Sequence, residues 1–501
     1  MKSMLKHIVL IIVFVIINQI AKAQFIVLPG NSITIKEGGN LYVGTNMTLK
    51  SDANGSGHFV DQTTNGDVNI TGNIVVERFI PTNEWHNISS PVSISNTSIF
   101  GSNDLTFYYD ETEVFNDWNF GWVWFQGDLL LMKGYDVFLN QSSAKIDYTA
   151  SNSSSLNTGF YNIAVSRTNS ENGETENHKG WNLIGNPYPS PVDWLEESGW
   201  NKTNINDAKY IWNPATDNYT IFLGGSNPIG INGGTQFIPS NQGFWVQAIS
   251  NGNISVNNNS RKGTMETTPD FYKNGTQNYP CISVVAKGNS LSDETLIRFI
   301  ENTTIKFDRN FDAVKLLSGS KIIPQISTNS NNCDFAINTL PSVIDGNEIP
   351  LNFSCNTNGN YKLELEDKSF LGEIESIYLF DRITKCLIDF TFLKEYNFQH
   401  NSLNNKQRFV LVINPTNNKL ISLKAENPYL VYSNNNNIHI KTLSGETENL
   451  DIEIINILGQ TILKRTHYGN LAIINTNTIK GYCIVKIISK KGQFNKKILI
   501  H

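Results

Sequence analysis

Breaking a glycosidic or peptide bond takes a nucleophile with a base beside it, or two carboxylates held at a fixed separation. The chain carries 45 acidic side chains and eight histidines, among them His58, His86, His178 and His400, yet no G-x-S-x-G, H-E-x-x-H or P-loop pattern is present. Any two carboxylates can meet in space, so a glycan-degrading hydrolase stays as a second alternative with no catalytic residue assigned. Asp293, Glu294, Asp308 and Asp312 form an acidic scatter. Such groups suit Ca2+, a hard cation that takes several oxygen ligands, although no EF-hand or nonapeptide repeat accompanies them. No other cofactor is indicated. A different chemistry is stacking on sugar rings, for which Trp122 and Trp124 in DWNFGWVWF, and Trp212, are the candidates. Trp122 and Trp124 share one face of a strand and Val123 and Phe125 the other. With both faces apolar, this reads as a buried strand.

These residues must be positioned by a long chain. At 501 residues it exceeds what one core holds and predicts several domains. Only 17% of residues are charged and 11% are aromatic, which is enough apolar surface to fold. The net charge is −6 and no long Lys/Arg cluster follows the first few residues, which argues against a nucleic-acid partner. The N-terminus places Lys2 and Lys6 before an unbroken apolar run, Ile8 to Ile17, and then Ala21-Lys22-Ala23. That run is about half of what spans a bilayer, and it suits a signal peptide cleaved between Ala23 and Gln24. No other segment reaches membrane length, so no transmembrane segment is expected in the mature chain. The five cysteines, Cys281, Cys333, Cys355, Cys386 and Cys483, fit no zinc spacing. Most read as unpaired buried thiols, with one bridge at most.

Short alternating segments bounded by Gly, Asn, Ser or Pro recur throughout, as in SITIKEGGNLYVGTNMTLK (Ser32 to Lys50). This is period-two strand writing and predicts an all-β, multidomain protein of β-roll and sandwich units. Residues 24–81 read as a β-rich region, a small β-roll or a few solenoid-like rungs. Residues 82–260 carry an internal duplication. WHNISSPVS (Trp85 to Ser93) matches WNLIGNPYP (Trp181 to Pro189), YYD (Tyr108 to Asp110) matches IWN (Ile211 to Asn213), and KGYDVFL (Lys133 to Leu139) matches QGFWVQA (Gln242 to Ala248). The matches fall in order with gradually widening spacing, giving repeats at about 85–139 and 181–248. In GWNLIGNPYPSPVDW (Gly180 to Trp194) the retained tryptophan, isoleucine and proline read as a rigid corner between β-elements. A polar linker, 261–279, leads to a β-sandwich over 280–416 and then to a compact β-sandwich over 430–501.

That last segment resembles the type A C-terminal sorting domain of cargo for the Bacteroidetes type IX secretion system. The resemblance lies in IINILGQTIL with its Gly459-Gln460 turn, in GYCIVKI beginning at Gly481, and in the terminal KKILI with Lys496 and Lys497. It implies export across both membranes, recognition of this domain by the secretion machinery and often its removal, with the mature part attached to the cell surface or released. One departure is that Tyr482 comes a place early and Cys483 takes the usual tyrosine position, which raises the expectation of altered packing and a reactive thiol. GWNLIGNPYPSPVDW, IPSNQGFWVQA and DETLIRFIENTTIKFDRNFDAVKL resemble, less specifically, stretches beside such domains in Bacteroidetes surface proteins. The reading is thus a secreted, adhesin-like or surface-structural protein. A carbohydrate-binding module is the alternative, with a surface polysaccharide or a host or neighbour-cell ligand as partner.

Overall fold

The computed structural model describes residues 24–64, 68–113, 121–140, 145–150, 155–168, 176–264, 279–366, 371–416, 429–434, 436–442, 445, 447–489 and 492–500. The signal peptide with Ala23, and Trp118, lie outside them. Nearly every element is a strand, so the protein is all-β, and it divides into two compact units. One comprises Met1–Thr276 with Asp308–Ser318, and the other Gln277–Phe307 with Gly319–His501.

The first unit begins as a solenoid. Gln24–Val27 pairs in parallel with Asn46–Leu49, which pairs in parallel with Ile74–Phe79. Ser32–Ile35 pairs likewise with His58–Asp61, and Leu41–Val43 with Val68–Ile70. Parallel register stacks like on like. Phe25, Met47 and Ile74 form one column and Val27, Leu49 and Val76 another, all feeding one core. Glu77 in the last rung is buried and paired with Lys50 at 2.7 Å and Lys145 at 3.0 Å.

Two sheets follow with the same strand order. In the first, Trp85–Ile88 lies beside Tyr135–Phe138, then Leu105–Tyr109, then Trp122–Trp124. In the second, Trp181–Gly185 lies beside Gly243–Ala248, then Ile205–Asn213, then Asn218–Leu223, with Ile229–Ile231 added at the edge. The registers also correspond: Trp85 faces Phe138 as Trp181 faces Gln247, and Ile88 faces Tyr135 as Ile184 faces Phe244.

The two sheets meet through reciprocal contacts. Ile88 bridges Gln242 while Ile184, its counterpart, bridges Lys133, the counterpart of Gln242. Ser89 N–H donates to Asn241 O at 3.0 Å, and Gly185 N–H donates to Met132 O at 2.8 Å. Met132 and Asn241 share the same left-handed conformation, each at φ +59°. This reciprocity is that of a two-fold axis within one chain. Glycine is required on it, because a Cβ on Gly185 would lie 2.2 Å from the Ser89 Cβ.

The corner after Ile184 is pinned by Asn186. Its amide donates to Ser190 O and Pro239 O, each at 2.8 Å, and its side-chain oxygen accepts from Tyr188 N–H at 3.0 Å. Asn157 spans both corners, donating to Ser90 O and Pro187 O. The polar run expected to be linker from 261 starts inside this body. Arg261 is fully buried, its guanidinium donating to Ser190 Oγ, Thr158 Oγ1 and Phe59 O and lying 4.7 Å from the centre of the Tyr188 ring. Hydrogen-bond partners for a buried charge explain what composition alone reads as solvated chain.

In the second unit, ten strands from Cys386–Asp389 to Glu395–His400 follow one another along a single hydrogen-bonded path. Its two ends contribute to one core, Leu379 and Leu411 from one and Tyr361 and Phe398 from the other, so the sheet folds over on itself. The C-terminal residues form a separate sandwich with its own core. Tyr429–Asn434, Asn437–Thr442 and Leu471–Asn475 make one layer, and Thr461–Gly469, Glu448–Asn456, Gly481–Ser489 and Gly492–Ile500 the other. Among the described residues none of the five cysteines forms a disulfide.

Candidate recognition surface

Period two places Trp85, Phe138, Leu105, Phe107 and Trp124 on one face of the first repeat's sheet. Trp85 is 36% exposed, Leu105 41% and Trp124 56%, with Phe107 and Phe138 half-buried between them. The Trp85 ring centre lies 5.8 Å from that of Phe107 and 5.2 Å from that of Phe138. From the Trp85 strand to the Trp124 strand is three strand spacings, about 14 Å. The opposite face, with Ile88, Tyr135 and Val137, faces the core.

The corresponding face of the second repeat is closed. Trp181, Ala208, Tyr210 and Ile221 are fully buried and Gln247 nearly so. Main-chain carbonyls cover it: Asn177 O accepts from Trp181 Nε1 at 2.6 Å, Lys179 O from Gln247 Nε2 at 3.0 Å, and Val314 O from the Tyr210 hydroxyl at 2.7 Å. Asp312 O takes the Asn206 amide at 3.1 Å. In the first repeat Phe107 replaces Tyr210 and Phe138 replaces Gln247, so two polar tips that hold the cover are missing.

The three tryptophans proposed for stacking do not form one surface. Trp124 joins the open face. Trp122 packs edge-on against Tyr109 at 5.4 Å and Trp245 at 5.5 Å. Trp212 packs on Tyr219 and donates its indole N–H to Trp85 O at 3.1 Å. The buried strand expected around Trp122 is instead an edge strand with Trp124 outward. Two apolar faces do not by themselves bury a strand, and Trp124 is 56% exposed. Trp85, Leu105, Phe107 and Phe138 were missed as surface residues, although the alternation in LTFYY already put Leu105 and Phe107 on one face. At the inner end of this face Asp136 accepts from the Asn87 amide at 2.8 Å, and desolvation pushes its carboxyl up to about 7.

The acidic scatter is not gathered. Asp293 and Glu294 are neighbours on one strand and point to opposite faces, the first accepting from Ile326 N–H and the second from Ser283 Oγ. Asp312 accepts from Asp308 N–H within its own turn. Among the described residues no group of three or more His, Cys, Asp or Glu is placed to hold a metal ion.

In the C-terminal sandwich the Gly459-Gln460 turn closes a hairpin, Gly459 at φ +79°, with the Asn456 side chain accepting from Leu458 and Gln460 N–H. Ile457 and Leu458 are exposed at its tip, at 75% and 77%. Gly481 sits at φ +91° before Tyr482, which points outward, and Cys483, which points into the core. Burial pushes the Cys483 thiol up to about 11, so it stays protonated at neutral pH. The expected reactive thiol is therefore an inert core residue. Lys496 Nζ donates to Thr384 O at 2.6 Å, and Lys497 lies 4.4 Å from the centre of the Tyr482 ring.

Solenoid rungs, a duplicated pair of sheets, a folded-over sheet and a terminal sandwich define a multidomain all-β protein. Residues 12–413 match a family described as a domain of unknown function, DUF8693, and the chain belongs to it. No curated protein matches the chain. Among the described residues no helix is long and apolar enough to cross a membrane.

Proposed function

We propose that this is an exported surface protein of a Bacteroidetes bacterium, adhesin-like in role and delivered by the type IX secretion system through its C-terminal sandwich. The observation that carries the reading is modularity. The family match ends at Ile413, the last residue of a strand, and residues 429–500 beyond it pack around a core of their own. An address read by secretion machinery has to be a self-contained module of this kind. The exposed Ile457–Leu458 tip offers that machinery an apolar handle. Deleting residues 429–501 should leave the remainder in the periplasm of a type IX-competent host, whereas export of the truncated chain at the normal level would remove the assignment.

The open aromatic face favours a second reading, carbohydrate binding by the body of the protein. Indole and phenyl rings presented on a rigid sheet stack on the C–H faces of sugars at little entropic cost. On a glycan array, binding should be lost in Trp124→Ala and in Trp85→Ala. Unchanged binding in both variants, or no binding by the wild type, would end this reading.

A further inference from the structure

The second unit contains a groove that neither reading above uses. Its main part, about 960 Å³, falls within the range of small-ligand sites. One wall is the end of the folded-over sheet around Asn358–Asn360 and Glu395–His400, and the other is the C-terminal sandwich around Tyr432, Tyr482 and Lys496–Leu499. A second cleft of about 530 Å³ shares Asn360, Asn397 and Ser433 with it, so the two adjoin.

The lining has a definite chemical character. Asn358, Asn360, Asn397, Gln399, Asn401 and Asn404 present six carboxamides, each able to donate and to accept. Tyr432 and Tyr482 also line it, the Tyr432 ring stacked on His439 and the Tyr482 ring beneath Lys497. Lys496 and Lys497 supply positive charge, and among the described residues no carboxylate side chain lines the main part, in a chain where acidic residues outnumber basic ones. Arg408 lines it too, but is held by Asp381 through bonds of 3.0 and 2.7 Å and stacks on Phe398, so the lysines carry the unbalanced charge. The walls are tied where they meet: Tyr482 OH donates to Gln399 Oε1 at 2.7 Å, and Lys441 pairs with Asp389 at 3.1 Å.

We propose that this groove binds an acidic saccharide chain, its hydroxyls met by the carboxamides, its ring faces by the tyrosines and its anionic groups by Lys496 and Lys497. Two adjoining clefts fit a chain rather than a single sugar. Carboxamides that donate and accept at once match paired hydroxyls, whereas an acidic peptide would leave most of them with main chain alone. The site does not involve the aromatic face, and because one wall is the C-terminal sandwich it exists only in the chain that retains that sandwich.

The test is titration calorimetry on the chain retaining residues 429–501, with three probes: oligogalacturonate, the same oligomer fully methyl-esterified, and hexaglutamate. Oligogalacturonate should bind, with affinity falling as salt is raised, because the attraction rests on exposed charge. The methyl ester and hexaglutamate should each bind at least about tenfold more weakly. Lys497→Glu, a change on an exposed side chain, should weaken oligogalacturonate about tenfold or more, while Trp124→Ala leaves it unchanged. The proposal is overturned if oligogalacturonate does not bind, if the methyl ester or the peptide binds as tightly, or if Lys497→Glu has no effect.

Discussion

The two repeats of the first unit have the same strand order and register, yet one sheet face is open and its counterpart is sealed. The open face carries Trp85, Phe107, Trp124 and Phe138, and the sealed one Trp181, Tyr210, Ile221 and Gln247. The difference shows how a duplicated β-unit divides its tasks. Polar tips on Tyr210 and Gln247 anchor main-chain carbonyls that close the second face, while the first exchanges those tips for rings and stays accessible. What is shared lies on the axis between the sheets, where Ser89, Gly185, Met132 and Asn241 exchange equivalent hydrogen bonds.

The shared axis is the most sensitive place to break this comparison. Gly185→Ala drives a Cβ to within 2.2 Å of the Ser89 side chain and should cost about 3 kcal/mol or more in chemical denaturation. The unequal faces come next. Ile221→Ala, in the sealed face, should cost about 3 kcal/mol, and Trp124→Ala, at the equivalent open position, less than about 1 kcal/mol. Equal costs would mean that the open face is covered in solution.

A smaller effect, seen in pH dependence, separates the repeats again. His86 corresponds to Asn182, and burial, reinforced by the nearby Arg78 charge and opposed by a hydrogen bond to Pro81 O, lowers its pKa to about 4. Between the unfolded value near 6.5 and about 4 the unfolded chain binds the extra proton, so stability falls as pH falls through that window. His86→Asn should flatten part of that fall, leaving the share due to His58, which burial also lowers to about 4. Asp136, raised to about 7, acts in the opposite sense, losing stability as pH rises towards 7, and is present in both the wild type and His86→Asn. Smallest is the anchoring hydroxyl. Tyr210→Phe leaves Val314 O without its donor and should cost about 1 kcal/mol, whereas Phe107→Tyr on the open face should change stability by less than about 0.5 kcal/mol.

Much of this architecture was legible in the chain. Alternation announced the all-β fold, and W-x-x-I-x-x-P with its ordered companions marks the two strands that occupy the same place in the two sheets. Period two also reveals which residues share a face, Trp122 with Trp124 and Leu105 with Phe107. It cannot reveal which face is covered. That depends on Asp308–Ser318, a segment far along the chain whose carbonyls seal the second repeat. Arg261 was misread for a related reason, since its partners Phe59, Thr158 and Ser190 come from distant parts of the chain. Cys483 drew attention as a departure from a pattern, but only its inward direction in the sandwich decides its chemistry. The groove beside Lys496 and Lys497 is built from several separate stretches of the chain and has no local signature.

The central claim is that the C-terminal sandwich is a transferable secretion address. Fusing residues 417–501 to a folded periplasmic reporter and assaying the medium and cell surface of a type IX-competent host tests it most directly. The account predicts export of the fusion, lost when the type IX machinery is disabled. Retention of the fusion in the periplasm, with the reporter folded, would contradict it.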